Sequence, residues 1–210
     1  MLGTRGLYAI VDPACCRGRD PEAVAAAILA GGCAVLQLRA KDVADRALLG
    51  LARRVGARAL AAGVPFVLND RADLASLVGA SGLHLGQDDL PIAEARRLVG
   101  PAMGIGRSTH DPAQARAAVE EGADVVAFGP VFETASKARP DPVVGLEQLA
   151  EVCRVSARPV VAIGGVTVER AGEIVRAGAR WGAAISAICG ADDPEAAARA
   201  LHAALGGGVS

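Results

Sequence analysis

The sequence predicts a closed (β/α)8 barrel, and three observations carry that prediction. Eight short runs rich in Val, Ile and Leu recur along the chain. Each is followed by a polar or glycine-rich turn and an alanine-rich stretch with helical character. The length, 210 residues, suits one compact domain near the lower size limit for a complete eightfold barrel. Strands separated by helices pair in parallel, because a parallel connection needs a crossover. Parallel strands are covered on both faces, which explains why these runs are nearly continuous in apolar residues. Eight of them favour a closed barrel over an open doubly wound sheet.

In order, the predicted strands are Leu7–Val11, Ala34–Leu38, Pro65–Leu68, Gly82–Leu85, Met103–Gly106, Asp124–Phe128, Pro159–Ile163 and Gly182–Ile185. Helices are expected over Pro21–Ala30, Ala44–Ala62 and Asp111–Glu121, among others. Asp20-Pro21 and Asp111-Pro112 each set an N-cap acceptor before a proline at the first helical position. The pairs Ala30-Gly31, Ala62-Gly63, Glu121-Gly122 and Ala177-Gly178 put glycine where a left-handed C-cap is wanted. No linker divides the chain, so residues 1–210 read as a single barrel domain, with a frayed tail expected from about 206.

Composition excludes several function classes. A net charge of −1, from 22 basic and 23 acidic residues, offers no field for nucleic acid or anionic lipid. Aromatic residues make up 2 %, too few for a base-stacking platform. No apolar run is long enough to cross a bilayer, and the opening residues lack a signal-peptide core. The five cysteines show no C-x-x-C spacing, so neither a disulfide framework nor a zinc site is indicated. A cytosolic protein is expected, without nucleic acid or membrane partners.

In a barrel, chemistry gathers at the carboxyl ends of the strands. The second run ends in Gln37, Arg39 and Lys41, which alternation places on one side, suited to a multiply charged anion such as pyrophosphate. Solvated loop charges account for them equally well. Asn69-Asp70-Arg71 and Asp88-Asp89 follow the third and fourth runs. Asp70 and Asp89 could share Mg²⁺, which takes one or two carboxylates plus phosphate and water; capping of the next helix is the alternative for each. Ser108 and His110 follow the fifth run, Ser108 as a donor and His110 at a helix start. Gly104-Ile105-Gly106 lacks the third glycine of a dinucleotide loop. The loop over 129–142 brings Thr134, Ser136 and Lys137, which could close over phosphates; a mobile surface loop is the alternative. Gly164-Gly165 and Ile185-Ser186 end the last two runs, where barrels commonly bind phosphate, or where tight packing wants glycine. His84 reads as a core residue inside an apolar strand, Cys15-Cys16 as structural, and His202 as part of the last helix.

Taken in order, Leu7–Asp12, Gln37–Lys41, Leu68–Arg71, Gly82–Pro91, Ser108–His110, Phe128–Lys137, Ala162–Gly165 and Ser186–Ile188 resemble the thiamine phosphate synthase family over essentially the whole chain. The resemblance implies a Mg²⁺-assisted transferase. It joins hydroxymethylpyrimidine diphosphate to hydroxyethylthiazole phosphate, or its carboxylated form, and releases pyrophosphate. It also implies that Gln37, Arg39, Lys41, Asn69, Ser108 and Lys137 hold the pyrimidine diphosphate, with Arg39, Lys41, Ser108 and Lys137 catalytic. Asp70 and Asp89 would bind Mg²⁺. Thr134, Ser136, Gly165, Ile185 and Ser186 would hold the thiazole phosphate. Ser136 stands where the family often has threonine. Arg107 and Trp181 depart from the pattern and are expected to alter packing near the mouth. Two rivals stay open: a thiazole tautomerase of the same fold, with His110 as its acid–base group, and a non-catalytic phosphate-sensing barrel. A homo-oligomer is compatible with the sequence.

Overall fold

A computed structural model describes residues 4–134 and 142–208. Its eight strands are β1 (Gly6–Val11), β2 (Val35–Leu38), β3 (Phe66–Asn69), β4 (Gly82–Leu85), β5 (Gly104–Thr109), β6 (Val125–Phe128), β7 (Val160–Ile163) and β8 (Trp181–Ala184). They close into one barrel in sequence order, every pairing parallel. Between them run α1 (Pro21–Gly31), α2 (Asp45–Ala61), α3 (Ala72–Leu77), α4 (Ile92–Val99), α5 (Pro112–Glu120), α6 (Gly145–Val155) and α7 (Val168–Arg176). After β8 come a single turn, α8 (Ser186–Cys189), and then α9 (Pro194–Ala204). The fold class is the expected one, and the strands fall within a few residues of the expected runs.

The helix starts follow from local chemistry. Asp20, Asp111 and Asp193 accept backbone N–H groups from Glu22, Gln114 and Ala196, each before a proline. At the C-termini, Gly63, Gly122 and Gly178 take positive φ as expected. Gly31 does not: α1 runs through it and the left-handed residue is Gly32. The reason is packing, since a Cβ at Gly31 would lie 2.2 Å from the Glu195 carbonyl oxygen where α1 crosses α9. The expected tail is held at its start, Gly206 and Gly207 donating to the Ala203 and His202 carbonyls. His202 in turn is buried and accepts the Leu7 N–H at 3.1 Å through Nδ1, so it fastens the last helix to the first strand.

Two apolar layers hold the barrel. Leu7, Ala9, Val11, Leu36 and Leu38 point outward and join the helices in one large cluster. Each fully buried Leu there contributes about 1.5–3 kcal/mol relative to exposure. Tyr8, Ile10, Val35, Ala127, Val161, Trp181 and Ala183 form a second cluster inside the barrel. Trp181 opens β8 at the end opposite the mouth, where its indole N–H donates to the Thr4 carbonyl at 2.8 Å. That corrects its expected place near the mouth: the strand begins at the tryptophan itself.

Candidate active site

The inward alternation of the strands divides the barrel mouth in two. On β2 to β5 the inward residues nearest the mouth are Gln37, Asn69, His84 and Ser108; on β1, β6, β7 and β8 they are Ile10, Ala127, Ile163 and Ala183. All eight line one cavity of about 460 Å³. One half therefore offers hydrogen bonds, and the other offers apolar walls topped by glycine loops.

The polar half is already ordered. Gln37, almost wholly buried, donates through Nε2 to the Tyr8 hydroxyl at 2.9 Å. Burial pushes the Tyr8 phenol well above its ordinary pKa, so it stays protonated. His84 Nε2 lies 2.9 Å from Ser108 Oγ. His84 is thus a cavity residue, against its expected role as core. It fits because Gly106 faces it: a Cβ there would stand 2.8 Å from His84 Nδ1. Arg39 reaches the cavity from just past β2, and its Nη1 binds the Asp12 carboxylate. Asp12 is buried, and its other oxygen accepts the Ala14 N–H at 3.0 Å. Both oxygens are thereby engaged and Arg39 is oriented.

Two carboxylates sit at the rim of this half. Asp70 has φ of 62°, a left-handed backbone that Asp and Asn tolerate better than most residues. It does not cap α3, whose cap position is Arg71 without a side-chain bond. Lys41, expected among the cavity ligands with Gln37 and Arg39, stands at this rim with Nζ 3.5 Å from Asp70. Burial and the adjoining Asp89 carboxylate push the Asp70 pKa up from 3.8 to about 6, against the pull of Lys41. Asp89 also accepts the Gly86 N–H at 2.6 Å, within its own loop. Among the described residues no His, Cys, Asp or Glu cluster of three or more could hold a metal. A pair of crowded carboxylates fits Mg²⁺, because a divalent cation relieves their repulsion and phosphate and water complete its octahedron.

The Asp89 loop is clamped from behind. Arg107 points away from the cavity, is nearly buried, and donates to the Gln87 and Leu90 carbonyls at 3.2 Å each. Its expected influence on packing near the mouth takes this form. The Gln87 side chain also donates to the Ser108 carbonyl.

The other half is built from backbone. Gly164 and Gly165 both have positive φ, at 97° and 65°, and a Cβ on Gly164 would meet Pro130 at 2.5 Å. Gly165, Ile185 and Ser186 line the cavity beside Thr134. Val131 and Phe132 donate to the Ile163 and Gly164 carbonyls, tying the loop after β6 to β7. His110 Nδ1 lies 2.5 Å from the Gly129 carbonyl, so the ring faces the cavity rather than merely starting a helix. Ser136 and Lys137 lie outside the described residues. Cys16 and Cys189 are buried thiols that donate to the Asp12 and Ile10 carbonyls, a structural role.

A barrel mouth with cations and paired carboxylates on one side and glycine loops on the other suits phosphorylated small molecules, as in (β/α)8 enzymes that act on them. The family model described as thiamine monophosphate synthase matches residues 7–188. A thiamine-phosphate synthase of Anaeromyxobacter dehalogenans is 51 % identical over 204 residues, covering 97 % of this chain and 89 % of that one. Another, from a Roseiflexus species, is 43 % identical and covers 95 % and 84 % of the two chains. The structure of a thiamine phosphate pyrophosphorylase from Pyrococcus furiosus superposes with a TM-score of 0.87 at 31 % identity, covering 96 % and 95 %. The chain belongs to the thiamine monophosphate synthase family, transferases of thiamine biosynthesis.

Proposed function

We propose that this mouth joins hydroxymethylpyrimidine diphosphate to hydroxyethylthiazole phosphate, releasing pyrophosphate and forming thiamine phosphate. The observation that carries this reading is the Asp70–Asp89 pair beside Lys41 and the Arg39 half-site. A tautomerase of the same fold would need no carboxylate pair at a pyrophosphate position, and a sensing barrel would need no such complement of charges.

The pyrimidine lies against Tyr8, Gln37, Asn69, His84 and Ser108, a surface of donors and acceptors suited to an aminopyrimidine edge. Arg39 and Lys41 meet the diphosphate, with Lys137 and Asp70 and Asp89 completing that half. The bond between the pyrimidine methylene carbon and the diphosphate oxygen breaks, and its electron pair leaves with pyrophosphate. The thiazole nitrogen then donates its own pair to the same carbon. Negative charge grows on the departing oxygen, so Arg39 and Lys41 bind the transition state more tightly than the ground state. Asp70 and Asp89 would hold Mg²⁺, which when bound would supply Lewis-acid neutralisation of the pyrophosphate. Thr134, Ser136, Gly165, Ile185 and Ser186 hold the thiazole phosphate, and the apolar half excludes water from the carbocation. No protein nucleophile is required. The reaction is placed in the cytosol, a reducing compartment that suits the five free cysteine thiols. Among the described residues no helix is long and apolar enough to cross a membrane.

Purified protein mixed with both substrates and Mg²⁺ is expected to release pyrophosphate and thiamine phosphate in equal amounts. No product, together with interconversion of thiazole isomers, would replace this reading with the tautomerase.

A further inference from the structure

We propose that Arg170 is a specificity residue that binds the phosphate of the second substrate, adding a side-chain cation to a half-site otherwise made of backbone and hydroxyl groups. This rests on the reading above. Arg170 lies in the first turn of α7, directly after the Gly164-Gly165 loop, and its side chain lines the main cavity. Its Nη1 donates to the Gly165 carbonyl at 2.9 Å. Its guanidinium carbon stands 4.7 Å over the Phe132 ring, which fixes the plane of the group. Those two contacts use one of five N–H donors and one face. Among the described residues no carboxylate lies within ion-pair distance of it; the adjacent Glu169 carboxyl feels the Arg170 charge but is held chiefly by a hydrogen bond to Thr167.

The surroundings are cut to admit this cation. A Cβ on Gly165 would meet the Glu133 carbonyl oxygen at 2.5 Å, Phe132 Cβ at 2.8 Å and Arg170 Nη1 at 2.9 Å, so glycine leaves room for the loop after β6 and for the guanidinium as well as for the positive φ. The group therefore sits beside the residues proposed to hold the phosphate, oriented before the ligand arrives, with donors to spare. A planar fork suits two phosphate oxygens, and a dianion gains more from it than a neutral alcohol does.

The alternative is that Arg170 only pins the loop of Phe132 and Thr134 to the barrel, and kinetics separate the two. Arg170→Gln keeps a donor for the Gly165 carbonyl but removes the charge; Arg170→Lys keeps the charge but not the fork. The expected result for Arg170→Gln is a KM for thiazole phosphate raised at least about tenfold. The KM for pyrimidine diphosphate and kcat at saturation should stay within about twofold, with Arg170→Lys lying between wild type and Gln. Calorimetric titration with thiazole phosphate alone should show the same loss of affinity. Because that titration needs no turnover, it tests Arg170 even if the wild-type protein makes no thiamine phosphate, an outcome that would sink only the condensation. An unchanged affinity for thiazole phosphate overturns the proposal. So does a parallel change in kcat and both KM values, which would mark a loop latch.

Discussion

Replacing Asp70 by Asn should make the metal-free protein more stable while weakening its hold on Mg²⁺. Asn keeps the size of the side chain and tolerates the left-handed backbone, at φ of 62°, so the substitution removes little besides charge. The folded Asp70 titrates near 6 rather than 3.8, chiefly from burial and then from Asp89. The folded state thus holds a proton that the unfolded chain has released. Stability contributed by this group is full below about pH 4 and declines as pH rises towards 6. Above that, the ionised carboxylate opposes folding by at most about 3 kcal/mol, because each tenfold change in proton affinity is worth about 1.4 kcal/mol. Some of that is relieved by solvent, since 23 % of the side chain is exposed, so about 1–2 kcal/mol is expected. For a chain of this size that is a rise in Tm of roughly 2–8 °C. Thermal unfolding in EDTA at about pH 8 would show it, and at about pH 4 the two proteins should converge. With Mg²⁺ and pyrophosphate the order should reverse, because only the wild type keeps both carboxylates. An Asp70→Asn variant that melts at or below wild type in EDTA at the higher pH refutes the crowded-pair argument.

Three further outcomes are expected. Asp12→Asn keeps an acceptor for the Ala14 N–H but removes the charge that orients Arg39, so kcat/KM for pyrimidine diphosphate should fall about 10–100-fold, while the KM for thiazole phosphate holds. Arg107→Met frees the Gln87 and Leu90 carbonyls, and a fall in Tm of about 2–8 °C is expected, with a higher Mg²⁺ concentration needed for half-maximal rate. Unchanged Mg²⁺ dependence would show that the clamp does not reach Asp89. Gly106→Ala pushes on His84 at 2.8 Å, and weaker pyrimidine diphosphate binding with unaltered thiazole phosphate binding would confirm the direction of that push.

The barrel is legible in the sequence because its signals are periodic: buried strands, alanine-rich helices, and aspartate before proline at two of the helix starts. The site is legible where polar residues follow the apolar runs, as at Gln37, Arg39, Asp70 and Ser108. His84 is hidden by its neighbours, Leu83 and Leu85, which make the whole segment read as core. Its only signal is register, since it pairs with Asn69 on one side and Gly106 on the other. Asp12 and Arg39 are far apart in sequence, and only closure of β1 against β2 brings them together. Arg170 looks like any charge on an amphipathic helix until the Phe132 ring is placed beneath it. Trp181 escapes the sequence reading because a single residue at a strand's start decides which end of the barrel it occupies.

The divided mouth has a consequence for recombination. The hydrogen-bonding half comes from strands β2 to β5 with Tyr8 of β1, and the phosphate half from β6 to β8, so each is encoded by nearly one stretch, the exceptions being Ile10 of β1 in the apolar wall and Lys137, proposed at the diphosphate. A single crossover within α5, between Pro112 and Glu120, would exchange one half between two relatives and leave the other intact apart from Ile10 and Lys137. Chimaeras joined there should inherit discrimination among leaving diphosphates from one parent and among acceptor rings from the other, a separation that a site braided from alternating strands would not permit.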